Sequence, residues 1–364
     1  MEILVFVFAL AIILIGAELF TNGIEWFGHR LNLGEGAVGS VLAAVATALP
    51  ETLIPVIAII GPILTGSEAT EATEEVGVGA ILGAPFTLAT LAMFITGLAV
   101  LIYARRGKRT SDMGVNVEVM EQDVVFFLVA YGLAIGAAFL PEAWRWADYL
   151  VVVLLTVIYV FYVRAHFRQG GTDEEPDLAQ LHATRLPFLR GRRAVLPPGE
   201  NTPTESHGLP RMWVIVAQTL LALAFIVLGA RVFVTALEEI SLSIGFDPRL
   251  FALIIAPIAT ELPEKFNSVL WVRTGKDTLA MGNITGAMVF QACFPTAIGI
   301  LFTSWVFTAE NALSFASAGA AILATVLILG PMLRTHRLRA TALLIGGPIY
   351  AIYIIAVLVL PSGL

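Results

Sequence analysis

Two segments of this sequence repeat the same arrangement of oxygen-bearing side chains around a proline. Thr47-Ala48-Leu49-Pro50-Glu51 lies near the middle of one long apolar stretch, and Thr260-Glu261-Leu262-Pro263-Glu264 near the middle of another. An ionisable group at the centre of a membrane span costs at least about 2.5–3.5 kcal/mol on insertion scales, so each glutamate is a functional candidate by default. Proline cannot donate a backbone hydrogen bond, so Pro50 frees the carbonyl of Ala46 and Pro263 that of Ala259. Thr47 and Glu51 are four residues apart, as are Thr260 and Glu264, which puts each pair on one helix face. Carboxylates, hydroxyls and carbonyls are hard ligands, and together they suit Ca2+ better than a soft transition metal. A lone mid-membrane glutamate can simply hydrogen-bond a neighbouring helix, and proline is common in such helices. The symmetric recurrence of both features favours a cation site.

Glu261 and Lys265 stand out beside this motif. They are four apart with the acid first, the favourable order for a helical ion pair. A buried lysine is costly unless paired, so the simple reading is that Lys265 neutralises Glu261 and leaves Glu51 and Glu264 as a net charge of minus two. The sharper reading makes Glu261 or Lys265 a coupling group, and the simple one is preferred. Gln291 is the best remaining polar ligand candidate. Asn283 and Thr285 are read as capping or packing groups, Glu18 and Arg231 as residues that line access routes or pair locally, and Gly79/Gly83 and Gly282/Gly286 as close-packing pairs.

Positioning such motifs needs a membrane scaffold. Of 364 residues, 58% are hydrophobic and 13% charged, against about 45–50% and about 25% in soluble domains. Ten spans are expected: Ile3–Phe27, Ala37–Leu64, Val76–Tyr103, Val124–Leu140, Trp144–Val163, Met212–Leu237, Leu250–Val272, Thr278–Thr303, Leu313–Leu333 and Ala342–Leu360. Met1–Phe20 resembles a signal-peptide core but lacks a basic leader, and it has a counterpart in the second half, so it is read as a retained helix. Arg168–Pro210 is polar and rich in Pro and Gly, and reads as a flexible linker whose acidic run Asp173–Asp177 is solvated. Lys and Arg concentrate in loops after odd-numbered helices, including Arg105, Arg106, Lys108, Arg109, Arg273, Lys276, Arg334 and Arg337. Those loops are therefore expected in the cytoplasm, with both termini outside.

Gly16–Glu51 aligns without a gap on Gly229–Glu264, with ten identical positions, among them Gly16, Phe20, Glu25, Thr47, Leu49, Pro50 and Glu51, each matched 213 residues later. GAILGA (Gly79–Ala84) also matches GNITGA (Gly282–Ala287). The expected organisation is a first five-helix repeat over 1–167, a cytoplasmic linker over 168–210 and a second repeat over 211–364. Five helices per half is odd, so the halves insert with opposite orientation, an arrangement typical of secondary transporters that hold substrate where the halves meet.

ATALPE, IATELPE and GNITGA resemble the two alpha repeats of the sodium/calcium exchanger family, within the wider cation/calcium antiporter superfamily. The resemblance covers nearly all spans and omits the linker. It implies a ten-helix bundle in which two helices of each half, the second and third and then the seventh and eighth, are broken around a central ion site. It further implies that Glu51 and Glu264 are the paired Ca2+ ligands, that Thr47 and Thr260 line the same site, and that the first and sixth helices slide over the remaining bundle. The family's Ser after each Thr is Ala48 and Glu261 here, and its Gly-Ser-Asn segments with a downstream Asn or Asp appear as Gly83-Ala84-Pro85 with Leu88 and as Gly286-Ala287-Met288 with Gln291. Several side-chain oxygens that bind Na+ in a typical member are thus missing.

The expected function is exchange of Ca2+ for Na+, with Ca2+/H+ exchange, or exchange of another divalent cation, as the alternative. The expected partners are inorganic cations and membrane lipid. No nucleic-acid-binding pattern is present, no protein partner is deducible and no cofactor is expected beyond the transported ions. An intramembrane enzyme is disfavoured because no His/Asp/Glu metal cluster and no Ser/Lys or Ser/His pairing supports one. The five histidines, His29, His166, His182, His207 and His336, fall in or near cytoplasmic loops, while the single cysteine, Cys293, excludes a disulfide framework and a Cys-rich metal site. A channel would show flux without countertransport.

Overall fold

Lipid offers a backbone no hydrogen-bonding partner, so long apolar runs satisfy their own amides by folding as helices. The structure, a computed structural model, describes residues 2–48, 51–52, 55–56, 59–60, 71–168, 178–185, 210–243, 261–309 and 311–359. Among these residues lie α1 (Glu2–Arg30), α2 (Ala37–Thr47), α3 (71–105), α4 (Val117–Ala137), α5 (Ala147–Arg168), α6 (Met212–Ser243), α7 (Leu262–Arg273), α8 (Asp277–Phe302), α9 (Ala312–Thr335) and α10 (Ala340–Val359). Eight of them are long and apolar enough to cross a membrane; α2 and α7 are the described parts of the second and seventh expected spans. The chain is an all-α polytopic membrane protein of two five-helix halves.

Two departures from the expected boundaries have clear causes. The fourth helix starts at Val117 rather than Val124, because the Asn116 side chain accepts hydrogen bonds from the amides of Glu118 and Val119 and caps it. Within the expected linker, residues 178–185 pack against α1 and α6: Leu181 is buried with Val214 and Ile215, and Trp26 donates to the Ala179 carbonyl at 2.9 Å. Asn22 and Gln218 complete this contact, since Asn22 accepts from the His182 amide at 3.0 Å and Gln218 from the Ala183 amide at 2.7 Å.

Loop contacts reveal the topology. Loops after α3, α7 and α9 meet at one end of the bundle. There Asp112–Met113 pairs antiparallel with Leu338–Arg339, and Arg109 grips both Asp277 oxygens at 2.6 Å. At the opposite end, the loops after α4 and α8 meet: the Phe307 amide donates to the Ala138 carbonyl at 3.0 Å and Arg145 to the Trp305 carbonyl at 2.9 Å.

The core is α8, in which every residue from Asp277 to Cys293 is buried. Gly282 and Gly286 bring it hard against α2, since a Cβ at Gly286 would overlap the backbone of Ser40. Gly83 of α3, the counterpart of Gly286, has open space around it, so the close-packing reading applies to the second half only. Gly16 of α1 packs on Ala222 and Ile226 of α6, while its repeat mate Gly229 packs on Ala9, Ile12 and Ile13 of α1. Outward-facing Leu4, Phe8, Val153, Leu220, Ile352 and Ile355 are exposed, as lipid-facing positions should be.

Candidate cation site

α2 delivers the first motif to the face of α8. It begins as a π-helix over Ala37–Ala43, a wider turn that recurs at functional sites, and tightens to α-helix over Ala44–Thr47. The Thr47 hydroxyl is fully buried and lies 3.1 Å from the Ala43 carbonyl and 3.2 Å from Oδ1 of Asn283 on α8. One turn on, Glu51 is 7% exposed and accepts a short hydrogen bond from Nε2 of Gln291, also on α8. Oε1 of Gln291 is buried and has no hydrogen-bond partner among the described residues. The amide therefore holds the carboxylate with its nitrogen and leaves its oxygen for something else.

Around this pair is a cleft lined by Glu51, Thr52, Pro55, Ala80, Ala84 and Gln291, with about 10 Å3 of free volume. That is the scale of a single water-sized particle. The cleft thus offers a carboxylate oxygen, an amide oxygen and a space fit for one bare ion. Its α3 wall is apolar, because Ala80 and Ala84 carry no oxygen on their side chains.

From the second motif, Thr260 and the side chain of Glu264 lie outside the described residues, as do Leu49 and Pro50 of the first. The described part of α7 opens at Leu262 with Pro263 in its first turn, where a missing amide hydrogen costs nothing. Glu261, just before it, is 1% exposed, and its Oε2 lies 2.8 Å from Nζ of Lys265, itself 3% exposed. Within hydrogen-bonding geometry, Oε1 of Glu261 has no partner among the described residues.

Three polar residues around these helices have roles that spacing alone did not reveal. Asn283 bonds Thr47 rather than capping a helix. Asn267 of α7 is fully buried, and neither its amide nitrogen nor its amide oxygen has a partner among the described residues. Its distance of three residues from Glu264 was a usable signal, since that spacing puts both on one helix face. Asp123 is also fully buried, bonded to Thr285 and to His166, so His166 near the end of α5 is an interior residue despite its place beside a loop. Glu18 and Arg231, by contrast, are exposed, and Glu18 lies 3.5 Å from Nε2 of His182.

Comparison with known proteins agrees with this architecture. The family model described as "Sodium/calcium exchanger protein" matches residues 1–166 and 214–360. A putative antiporter, CaxA, of Alkalimonas amylolytica is 25% identical over 345 residues, covering 93% of both chains. An uncharacterized membrane protein of Methanocaldococcus jannaschii, MJ0091, is 21% identical over 299 residues, covering 82% of this chain and 80% of its own. The fold matches that of the sodium-calcium exchanger NCX_Mj in crystals soaked with Na+ and Sr2+, at a TM-score of 0.68 and 18% identity over 99% of this chain and 98% of that one. The same exchanger soaked with Na+ and Ca2+ gives a TM-score of 0.68 at 17% identity.

Proposed function

This chain belongs to the sodium/calcium exchanger protein family, a family of cation/Ca2+ antiporters, and from that membership we propose that it exchanges Ca2+ for Na+ across a cell membrane by alternating access. Glu51, Glu264, Thr47, Thr260 and Gln291 are the proposed ligands. The observation that carries the reading is the buried Glu51–Gln291 pair, set on an ion-sized cleft with an unpartnered amide oxygen. Glu264 supplies the second carboxylate by repeat symmetry. Glu261, held by Lys265, contributes structure and at most one oxygen. Both termini face outside and residues 168–210 form the cytoplasmic connector between repeats 1–167 and 211–364, following the placement of Lys and Arg.

Exchange rather than leak follows from charge. Two carboxylates that face each other empty and ionised in a low dielectric form an unfavourable state, and carrying it across the barrier is worse. Bound Ca2+ neutralises the pair, and so do Na+ ions or protons. Loaded forms switch and the empty form does not.

Ca2+/H+ exchange is the second reading. It is favoured by the apolar α3 wall of the cleft, where Ala84 stands in place of an oxygen-bearing side chain, and by the fully buried Ala48 and Leu88 at two further positions of that kind. Radiolabelled Ca2+ flux in proteoliposomes, with Na+ and pH gradients imposed separately, separates the two. Glu51→Gln is expected to lower flux by about a hundredfold or more, since it removes one of two charges that must balance the ion. Normal exchange by both Glu51→Gln and Glu264→Gln would overturn the site.

A further inference from the structure

A second ionisable cluster lies inside the helical bundle, away from the Glu51 cleft. Its centre is Asp123 of α4, fully buried. Both carboxylate oxygens are engaged. Oδ2 accepts from the Ser40 hydroxyl of α2 at 2.8 Å and the Thr285 hydroxyl of α8 at 2.5 Å. Oδ1 lies 2.9 Å from the Tyr162 hydroxyl and 2.9 Å from Nε2 of His166, both on α5. Four donors around one carboxylate describe an ionised acid. Because Nε2 faces that acid, it carries the hydrogen, and Nδ1 is left as a bare acceptor.

Nδ1 of His166 is buried with no hydrogen-bond partner among the described residues. A buried lone pair with nothing to accept is costly, and Nδ1 is a position in this fully buried cluster where a proton can be added without displacing a hydrogen bond. Adding it turns the pair from a net charge of minus one into a neutral imidazolium–carboxylate pair. The Tyr162 hydroxyl can follow that change. It has one hydrogen and two acceptors, Asp123 Oδ1 and the Ser40 carbonyl, each at 2.9 Å. Thr285 stands in the same position, 2.5 Å from Asp123 and 2.9 Å from the Met281 carbonyl.

We propose that Asp123 and His166 form a buried proton-binding site, separate from the cation cleft, whose occupancy is relayed to that cleft through Ser40 and Thr285. The relay is set by the chain itself. Ser40 sits in the π-helical part of α2, seven residues before Thr47, and Thr285 lies six residues before Gln291 on α8. The two helices that hold the Glu51–Gln291 pair are therefore the two that hydrogen-bond Oδ2 of Asp123. On the packed elements, the groups facing the pair are Ser40 from α2, Tyr162 from α5 itself, whose ring lies 4.6 Å from that of His166, and Thr285 from α8. Among the described residues no other charged side chain pairs with either member.

Histidine-selective 15N NMR of the purified full chain tests the site, and Ca2+ flux against pH tests the relay. Only the flux arm rests on the exchanger reading. A signal missing from His166→Gln should change between about pH 5 and about pH 8, the range in which histidine titrates. The change should differ in Asp123→Asn, which removes the carboxylate that faces Nε2. His166→Gln should flatten the response of flux to pH, and Ser40→Ala and Thr285→Val, which keep both ionisable groups, should displace it. A His166 signal constant over that range overturns the site. A titrating signal with a wild-type flux profile in His166→Gln overturns the relay. Titration at His166 in a protein with no Ca2+ flux leaves the site standing and removes the exchanger reading instead.

Discussion

Glu261 and Lys265 illustrate how one buried charge constrains another. Lys265 has three hydrogens and a full charge, and its partner is a carboxylate oxygen of Glu261 2.8 Å away. Removing one member of a buried pair strands the other in a low dielectric, which costs about 3–5 kcal/mol, whereas removing both is often neutral. Lys265→Met alone should therefore lower thermal stability in detergent sharply, and Lys265→Met with Glu261→Gln should recover most of the loss. A double variant as unstable as the worse single one would count against the pairing. If the double variant is stable and still exchanges Ca2+, the pair is structural; if stable but inactive, Glu261 supplies an oxygen to the ion.

Helix packing shows the same logic with backbone in place of charge. Gly286 and Gly83 occupy corresponding places in GNITGA and GAILGA, but only Gly286 lies under another backbone. Gly→Ala inside a helix normally gains about 1 kcal/mol. Gly83→Ala should thus leave the melting temperature equal or higher, while Gly286→Ala should lower it, because its Cβ would displace Ser40 and with it α2. Equal melting temperatures for the two variants would contradict this packing. The difference could not be read from the repeat, which shows two similar motifs and not their neighbours. The start of α4 was hidden for a related reason: Glu118, Glu121 and Asp123 make its first turns look polar, yet Asp123 is an interior residue with four partners supplied by other helices. Likewise, composition marks 168–210 as linker, but Leu181 finds an apolar pocket between α1 and α6 that only the folded bundle creates. What was legible were the features each helix carries alone: apolar length, the proline-glutamate motifs, and the 213-residue repeat that pairs Gly16 with Gly229 across α1 and α6.

Across the whole molecule, the coupling ion depends on how many oxygens the two halves bring to one place. A bare Na+ needs several neutral or anionic oxygens together, and the α3 wall of the cleft supplies none from Ala80 or Ala84. Ala48 and Ala287, where the family has oxygen-bearing side chains, are both fully buried and bring no side-chain oxygen. In the proposed site the carboxylates of Glu51 and Glu264 would balance the charge of one Ca2+ whatever the surrounding wall is made of, and each could instead take a proton. Loss of neutral oxygens should therefore weaken the Na+ sites more than the Ca2+ site. The expected outcome is fewer Na+ ions exchanged per Ca2+ than in a typical member of the family, together with a clear dependence of flux on pH. Proteoliposome flux measured against Na+ concentration at several fixed pH values, with a parallel run under a pH gradient alone, reads both quantities. Steep cooperativity in Na+ with no response to the pH gradient would show that other oxygens, from backbone or bound water, have taken the place of the absent side chains.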